Sequence, residues 1–381
     1  MLLIYKILII LCIYLLFKGY FRIKYPFWSI QPVFHYYNLY YWCFPPGIIN
    51  HELPKKHKKY YDDTILFLEL SQLKNHQSSD CLTLLQHHYL RSKEVDYIPS
   101  EKAFVSYLQN LQTESFIGLK YETQFLNNQE HKKLIGMITG RPLICYINNN
   151  KMIVNYVDFL CVHKKYRKKQ VAPKLIHSYY VKQRNRERGC VFLFKRESSK
   201  TAYVPLTTYL SYGFDLQYLK NPLKKYAVKL TKNHIFNIFD ELNTINSNFK
   251  CSIVSTLSNI QGLIDNKVFL IYGIIDKINI HALYIFQNNQ TKIDGYSSVD
   301  CIGSYKKKSL KEEIFYNGFL NALYDLKKTY KTLILENISH NHILIKNFMK
   351  KNSVLFSSQN SYYFYNFAYR PFKSKEVFIL H

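Results

Sequence analysis

Asp158-Phe-Leu-Cys-Val-His-Lys-Lys-Tyr-Arg-Lys-Lys-Gln-Val-Ala-Pro173 is the stretch on which the reading of this chain turns. Before and into it, Ile153 to Val162 is a β-branched and aromatic run bounded by Asn148-Asn149-Asn150-Lys151, which predicts a buried strand. After it, Ala172, Leu175, Ile176, Tyr179 and Tyr180 recur at helical spacing, with Pro173 tolerated in the first turn and Gly189 placed to end the helix. Between strand and helix stand Lys164, Lys165, Arg167, Lys168, Lys169 and Lys174. First-turn amides lack intrahelical partners and the helix dipole is positive at that end, so a basic strand-to-helix turn suits a phosphate or diphosphate.

The remaining composition narrows the class. A chain of 381 residues can bury a large core and predicts two domains or two fused halves. Its 35 Tyr and 26 Phe argue against disorder. The formal net charge of +26 would suit an anionic partner, yet Lys, Asn, Ile, Tyr and Phe are enriched together, as a biased codon usage produces. No basic repeat interleaved with Tyr or Phe supports a specific nucleic-acid partner. The eight cysteines are scattered without knuckle or redox spacing, which predicts reduced, mostly buried thiols in a cytosolic body and no metal.

Leu2 to Phe17 is apolar except for Lys6, and an extension to Phe21 spans about 30 Å as a helix. No small-residue cleavage site follows, so a retained membrane anchor is expected, with Lys18, Arg22 and Lys24 setting the body on the cytoplasmic side. Helices are predicted over Asp80 to Arg91 and from Ser100, and strands over Phe116 to Tyr121, Leu134 to Thr139, Ile144 to Ile147 and Val191 to Phe194. In the second half, strands are predicted over Val268 to Ile275, Ala282 to Phe286, Thr332 to Leu335 and Ser361 to Phe367, and helices over Leu310 to Leu326 and Ile343 to Lys350. The basic turn is expected to have no counterpart there, which suits one cofactor per chain.

The spacing Arg167-x-x-Gln170-x-Ala172 resembles the pyrophosphate turn of the GNAT acyltransferases. The full stretch is similar to the signature of glycylpeptide N-myristoyltransferase, roughly NFLCVHKKLRSKRLAP, at most of its positions and without a gap. Lys24-Tyr-Pro-Phe-Trp-Ser-Ile-Gln-Pro-Val33 resembles the KYQFWxTQPV that opens that family's core. Lys133-Leu-Ile-Gly-Met-Ile138 resembles its KLVGFI strand, and Ser361-Tyr-Tyr-Phe-Tyr-Asn-Phe367 its YYLYNW. The resemblance implies an α/β (α+β) fold of two fused GNAT-like halves behind an N-terminal hydrophobic helix. It divides the chain into an anchor at 1–22, an acyl-CoA half at 23–228 and an acceptor-side half at 229–381.

The same resemblance implies a transfer of a tetradecanoyl group from myristoyl-CoA, the co-substrate, to glycine-terminated acceptor proteins, with no permanently bound cofactor. Main-chain amides of Phe159 and Leu160 would form the oxyanion hole, and the carboxylate of the last residue, here His381, would be the base. Coenzyme A would lie on Tyr25, Pro26, Phe27, Trp28, Phe159, Leu160, Cys161, Val162, Arg167, Lys168, Lys169, Gln170, Val171 and Ala172. Asp158, where the family has Asn, would hold the acceptor amine. The family's Arg-Tyr-Trp-His-Arg run is missing from Ser198 to Tyr212, and its acidic cluster from His88 to Glu94. These departures support a second reading, a diverged acyl-CoA-binding protein with weak or no transfer.

Overall fold

A computed structural model gives the fold and describes residues 2–44, 46–90, 92, 94–126, 129–187, 190–197, 202–222, 224–276 and 279–381. Gly189, expected to end the central helix, and part of the 198–212 run lie outside them. The chain opens with α1 (Leu2–Lys24). The first half then holds α2 (Leu39–Cys43), β1 (Gly47–Ile48), β2 (Leu66–Glu69), α3 (Asn75–His88), β3 (Val95–Tyr97), α4 (Glu101–Leu108), β4 (Phe116–Leu126), β5 (Gln129–Ile147), β6 (Asn150–Val157), β7 (Cys161–Val162), α5 (Val171–Arg186) and β8 (Val191–Glu197). β9 (Thr207–Asp215) closes the first half and β10 (Val228–Leu230) lies at the boundary; the second half holds α6 (Ile235–Asn248), β11 (Cys251–Val254), α7 (Leu257–Asp265), β12 (Phe269–Asp276), β13 (Asn279–Gln287), β14 (Thr291–Ile293), β15 (Tyr296–Lys306), α8 (Glu312–Leu326), β16 (Thr332–Glu336), α9 (Asn341–Phe348), β17 (Phe356–Tyr365), β18 (Phe367–Ala368) and β19 (Val377–Ile379).

Pairing runs through one sheet in the order β2, β4, β5, β6, β8, β17, β9, β16, β15, β13, β12, β10. Two of these joints are parallel, β6 with β8 and β15 with β16, and each is bridged by a helix, α5 or α8. Parallel neighbours need such a crossover, and its repetition is the duplication that two fused halves imply. The halves also interlock. β11 pairs antiparallel with the end of β5 and parallel with β19, so this second-half strand links the first half to the last strand.

Helices cover both faces. On one, Tyr179 of α5 comes so close to Gly140 that a Cβ there would run into its hydroxyl. Alternation along the strand turns the neighbouring Arg141 to the other face, where Phe104 and Tyr107 of α4 and Leu84 and Leu85 of α3 are buried. Ser100 caps α4, its Oγ accepting from the Ala103 amide at 3.2 Å.

Three expectations need correction. The strand from Ile153 to Val162 is broken: β6 ends at Val157 and the chain resumes pairing only at Cys161. The separate strands at Leu134 to Thr139 and Ile144 to Ile147 are one strand, β5, because Pro142 falls where β5 has left β4 and not yet met β11, so its missing N–H breaks no ladder. Finally, the turn between β15 and α8 is itself lysine-rich, with Lys306, Lys307, Lys308 and Lys311, so the basic turn does have a counterpart.

Candidate active site

β6 and β8 pair from Val154 with Val191 to Val157 with Phe194 and then part. At that point Asp158, Phe159 and Leu160 leave the ladder before β7 pairs with Gly136 and Met137 of β5. Thr139 holds the detour, its carbonyl accepting from the Asp158 amide at 3.2 Å and its Oγ1 from the Phe159 amide at 3.1 Å. Phe159 and Leu160 then part to opposite faces. The Phe159 ring is buried against Phe104, Tyr89 and Tyr107, while Leu160, like Val157, Val162 and Val171, packs against the cluster that holds Leu175 and Tyr179. Among the described residues the Leu160 N–H has no acceptor, whereas that of Phe159 is occupied by Thr139.

The basic turn follows. His163 starts it, Nδ1 accepting from the Lys165 amide at 3.2 Å. Lys168 and Gln170 both take left-handed backbone, at φ 64° and 62°, which bends the main chain into a concave run of amides. α5 begins at Val171 with no acidic residue in its first turn and no side-chain cap. Among the described residues the amides of Lys168, Gln170, Val171 and Ala172 have no protein acceptor. The side chains of Lys168 and Lys169 are exposed, with Lys169 Nζ 5.0 Å from the centre of the Tyr166 ring. Arg167 instead turns back, donating to the carbonyls of His88 at 2.5 Å and Val162 at 3.4 Å. It thereby ties the turn to the end of α3, as does the His88 ring 3.9 Å from that of His163. Both imidazoles are lowered, His163 by burial first and His88 to about 4, by burial and then by His163.

Residues 25–28 border the apolar cluster that Leu160 and Val171 also join. Pro26 is exposed and Tyr25 half-buried, Phe27 is buried against Tyr60 at 5.1 Å, and Trp28 lies 5.9 Å from Phe194 in near-parallel stacking and 4.8 Å from Tyr203. Tyr25 and Trp28 share one apolar cluster with Leu160, Val162 and Val171. Cys161 is buried and its thiol pushed up to about 12 by burial, so it packs as an inert group.

On the opposite side the chain's last residue is buried. His381 is 8 % exposed, its ring 4.6 Å from Tyr156 and 5.6 Å from Tyr362. Burial, then the charges of Lys195 and Arg141, hold its imidazole well below the usual range, hence neutral. Around it stand charges that the sequence reading did not single out. Arg141 Nε donates to Asp158 Oδ2 at 2.6 Å, so one oxygen of the expected amine-holding carboxylate is already engaged. Burial raises Asp158, and Arg141 opposes that shift. Lys195 Nζ meets Glu336 Oε1 at 2.6 Å, and Tyr209 donates to Glu336 Oε2 at 3.0 Å. Burial alone would lower the Lys195 ammonium, but Glu336 and the neighbouring tyrosines hold it above its usual range. Asp300, accepting from Asn289 Nδ2 at 2.6 Å, is pushed up to about 8 by burial and then by Glu336. The available signal was a charged residue inside or closing an apolar strand: Gly140-Arg-Pro142, Phe194-Lys195 and Leu335-Glu336.

A β–α–β unit with a basic turn at its crossover helix, repeated once along the chain, makes this a mixed α/β fold of two fused halves. Residues 51–189 match the family model described as myristoyl-CoA:protein N-myristoyltransferase, N-terminal domain. A glycylpeptide N-tetradecanoyltransferase of Dictyostelium discoideum is 30% identical over 114 residues, 29% of this chain and 26% of that protein. One of Plasmodium falciparum is 42% identical over 60 residues, 16% of this chain and 13% of that protein. The aligned segments thus span about a quarter or less of these relatives. In structure, Saccharomyces cerevisiae N-myristoyltransferase with bound myristoyl-CoA superposes with a TM-score of 0.73 at 14% identity, covering 92% of this chain and 90% of the yeast one. The chain is thus similar to N-myristoyltransferases in sequence over residues 51–189 and in fold over most of its length.

Proposed function

We propose that the protein transfers a tetradecanoyl group from myristoyl-CoA to the N-terminal glycine of acceptor proteins. The observation that carries this reading is the parting of β6 and β8 at Asp158–Leu160, with an open amide run on one side and the buried chain end on the other. Phosphate oxygens of coenzyme A suit the amides of Lys168, Gln170, Val171 and Ala172, with Lys168 and Lys169 adding charge and Arg167 bracing the turn. Tyr25, Pro26, Phe27 and Trp28 would cover the adenine end, and Cys161 and Val162 would line the strand beneath.

Attack of an amine on a thioester needs a stabilised oxygen and a proton acceptor. The Leu160 N–H is free to donate to that oxygen, and the Phe159 N–H joins it by exchanging the Thr139 hydroxyl for the substrate. The carboxylate of His381 takes a proton from the glycyl ammonium, which the second oxygen of Asp158 holds. The amine lone pair then forms the C–N bond as the C–S bond breaks, and coenzyme A departs as the thiol after taking up the proton released from nitrogen. In this reading residues 23–228 bind the acyl-CoA and 229–381 supply the acceptor side. α1, whose apolar side chains from Leu3 to Phe17 are mostly exposed and which is long and apolar enough to cross a membrane, anchors this body to a bilayer, leaving it on the cytoplasmic face.

The test is intact-mass analysis of glycine-terminated peptides incubated with the full chain and myristoyl-CoA. Transfer is expected, and a chain extended beyond His381 should lose it at least a hundredfold while still binding myristoyl-CoA. Full activity of the extended chain would refute the carboxylate's role. Engagement of Asp158 by Arg141 favours the second reading, an acyl-CoA-binding protein, and binding without transfer would select it.

A further inference from the structure

We propose that Arg141 is a specificity residue that takes a carboxylate carried by the acceptor next to its reacting amine. The inference rests on the acyltransferase reading and names the class of substrate it serves. Arg141 is fully buried, opposite Tyr156 in the β5–β6 ladder. Its guanidinium carbon lies 5.3 Å from the centre of the Tyr107 ring and 5.7 Å from that of Tyr156, so the plane is walled by two aromatic rings. Only Nε is engaged, by Asp158. Nη1 and Nη2 are both buried and have no hydrogen-bond partner.

That combination is costly. A buried cation is tolerated when its donors are paired, and the ion pair with Asp158 uses one of the five N–H groups. The Nη1 and Nη2 edge is a planar fork that matches the two oxygens of a carboxylate, a match an ammonium or an amide cannot reproduce. Position points to the acceptor rather than to coenzyme A. Gly140 faces α5, the helix of the basic turn, and Arg141 is turned to the opposite face, bonded to Asp158 where β6 and β8 part. The ligand is therefore a carboxylate within one residue's reach of the reacting nitrogen. An acidic second residue on a glycine-terminated peptide and the α-carboxylate of free glycine both carry it.

The experiment uses the full chain loaded with a thioether analogue of myristoyl-CoA, which lacks the carbonyl and cannot transfer. Peptides beginning Gly-Asp or Gly-Glu are titrated against Gly-Asn and Gly-Gln, and free glycine against glycinamide. The acid member of a pair should bind at least tenfold tighter than its amide. The pair that shows this tells side-chain carboxylate from α-carboxylate. R141M combined with D158N, which leaves no charge unpaired, should abolish the preference while retaining affinity for the analogue. Equal binding of acids and amides, or a preference that survives the double substitution, would overturn the proposal. Because nothing turns over, a preference seen without transfer from myristoyl-CoA would fault the catalytic reading alone, and absence of all acceptor binding would end both.

Discussion

The two crossover helices of this molecule begin alike and end up with opposite chemistry. α5 and α8 each follow a lysine-rich turn and each bridges a parallel strand pair. Yet α8 carries Glu312 and Glu313 in its first turn, while α5 carries no acid there. The lysines before α8 are also engaged: Lys306 Nζ donates to the carbonyls of Leu310 at 2.9 Å and Lys307 at 3.3 Å, and Lys307 pairs with Glu241 at 3.0 Å. The strands differ in the same sense. β15 stays in register with β13 except for one irregularity beside Ile302, whereas the first half breaks outright between β6 and β7. A basic turn alone therefore does not make an anion seat. Both helices lack a side-chain cap, so what separates the two turns is the acid pair that answers the dipole of α8 and the engagement of its lysines, neither of which α5 has.

Putting an acid where α8 has one should erase the difference most strongly. Ala172→Glu is expected to weaken myristoyl-CoA binding about a hundredfold, roughly 3 kcal/mol, with the unliganded melting temperature little changed; calorimetric titration checks both. Next in size, Leu175 in α5 and Leu323 in α8 are both fully buried, and replacing either by Ala should cost about 2–5 kcal/mol in urea unfolding. Only the first should also impair acyl-CoA binding, and equal losses for both would blur the comparison. A smaller effect comes from the imidazoles that tie the α5 turn to α3. In the folded state His88 titrates near 4, below its ordinary 6.5, so the neutral form is favoured there and stability is lost as pH falls between those values. The midpoint of unfolding should drop from pH 7 to pH 5 less steeply in His88→Asn than in the natural chain. Smallest of all, Glu312→Gln with Glu313→Gln should cost about 0.3–1 kcal/mol per residue through the helix dipole and leave acyl-CoA affinity unchanged.

Much of the α5 side was legible because its determinants are local. Gln170 to Pro173 carry helix-start chemistry in consecutive residues, and Leu175, Tyr179 and Tyr180 mark the buried face. The break at Asp158 was not, since Phe159 and Leu160 favour strands and what displaces them is Thr139, twenty residues earlier, together with burial on opposite faces. β15 escaped the pattern because Ser297, Ser298 and Asp300 dilute a strand whose polar residues find partners elsewhere. The charges around the chain end were hidden for the same reason at longer range. Arg141 is 17 residues from Asp158 and Lys195 is 141 from Glu336, so neither pairing has a spacing that sequence can announce. Resemblance to a known family supplied the roles for the local motifs, and it was silent about Arg141.

The central claim is that one of two similar strand–turn–helix units holds the acyl-CoA. Isothermal titration of the full chain with myristoyl-CoA, and separately with acetyl-CoA, tests it most directly. One molecule of myristoyl-CoA per chain, bound more tightly than acetyl-CoA and lost in Ala172→Glu, is the predicted result. Two equivalent sites per chain, or binding indifferent to Ala172→Glu, would contradict it.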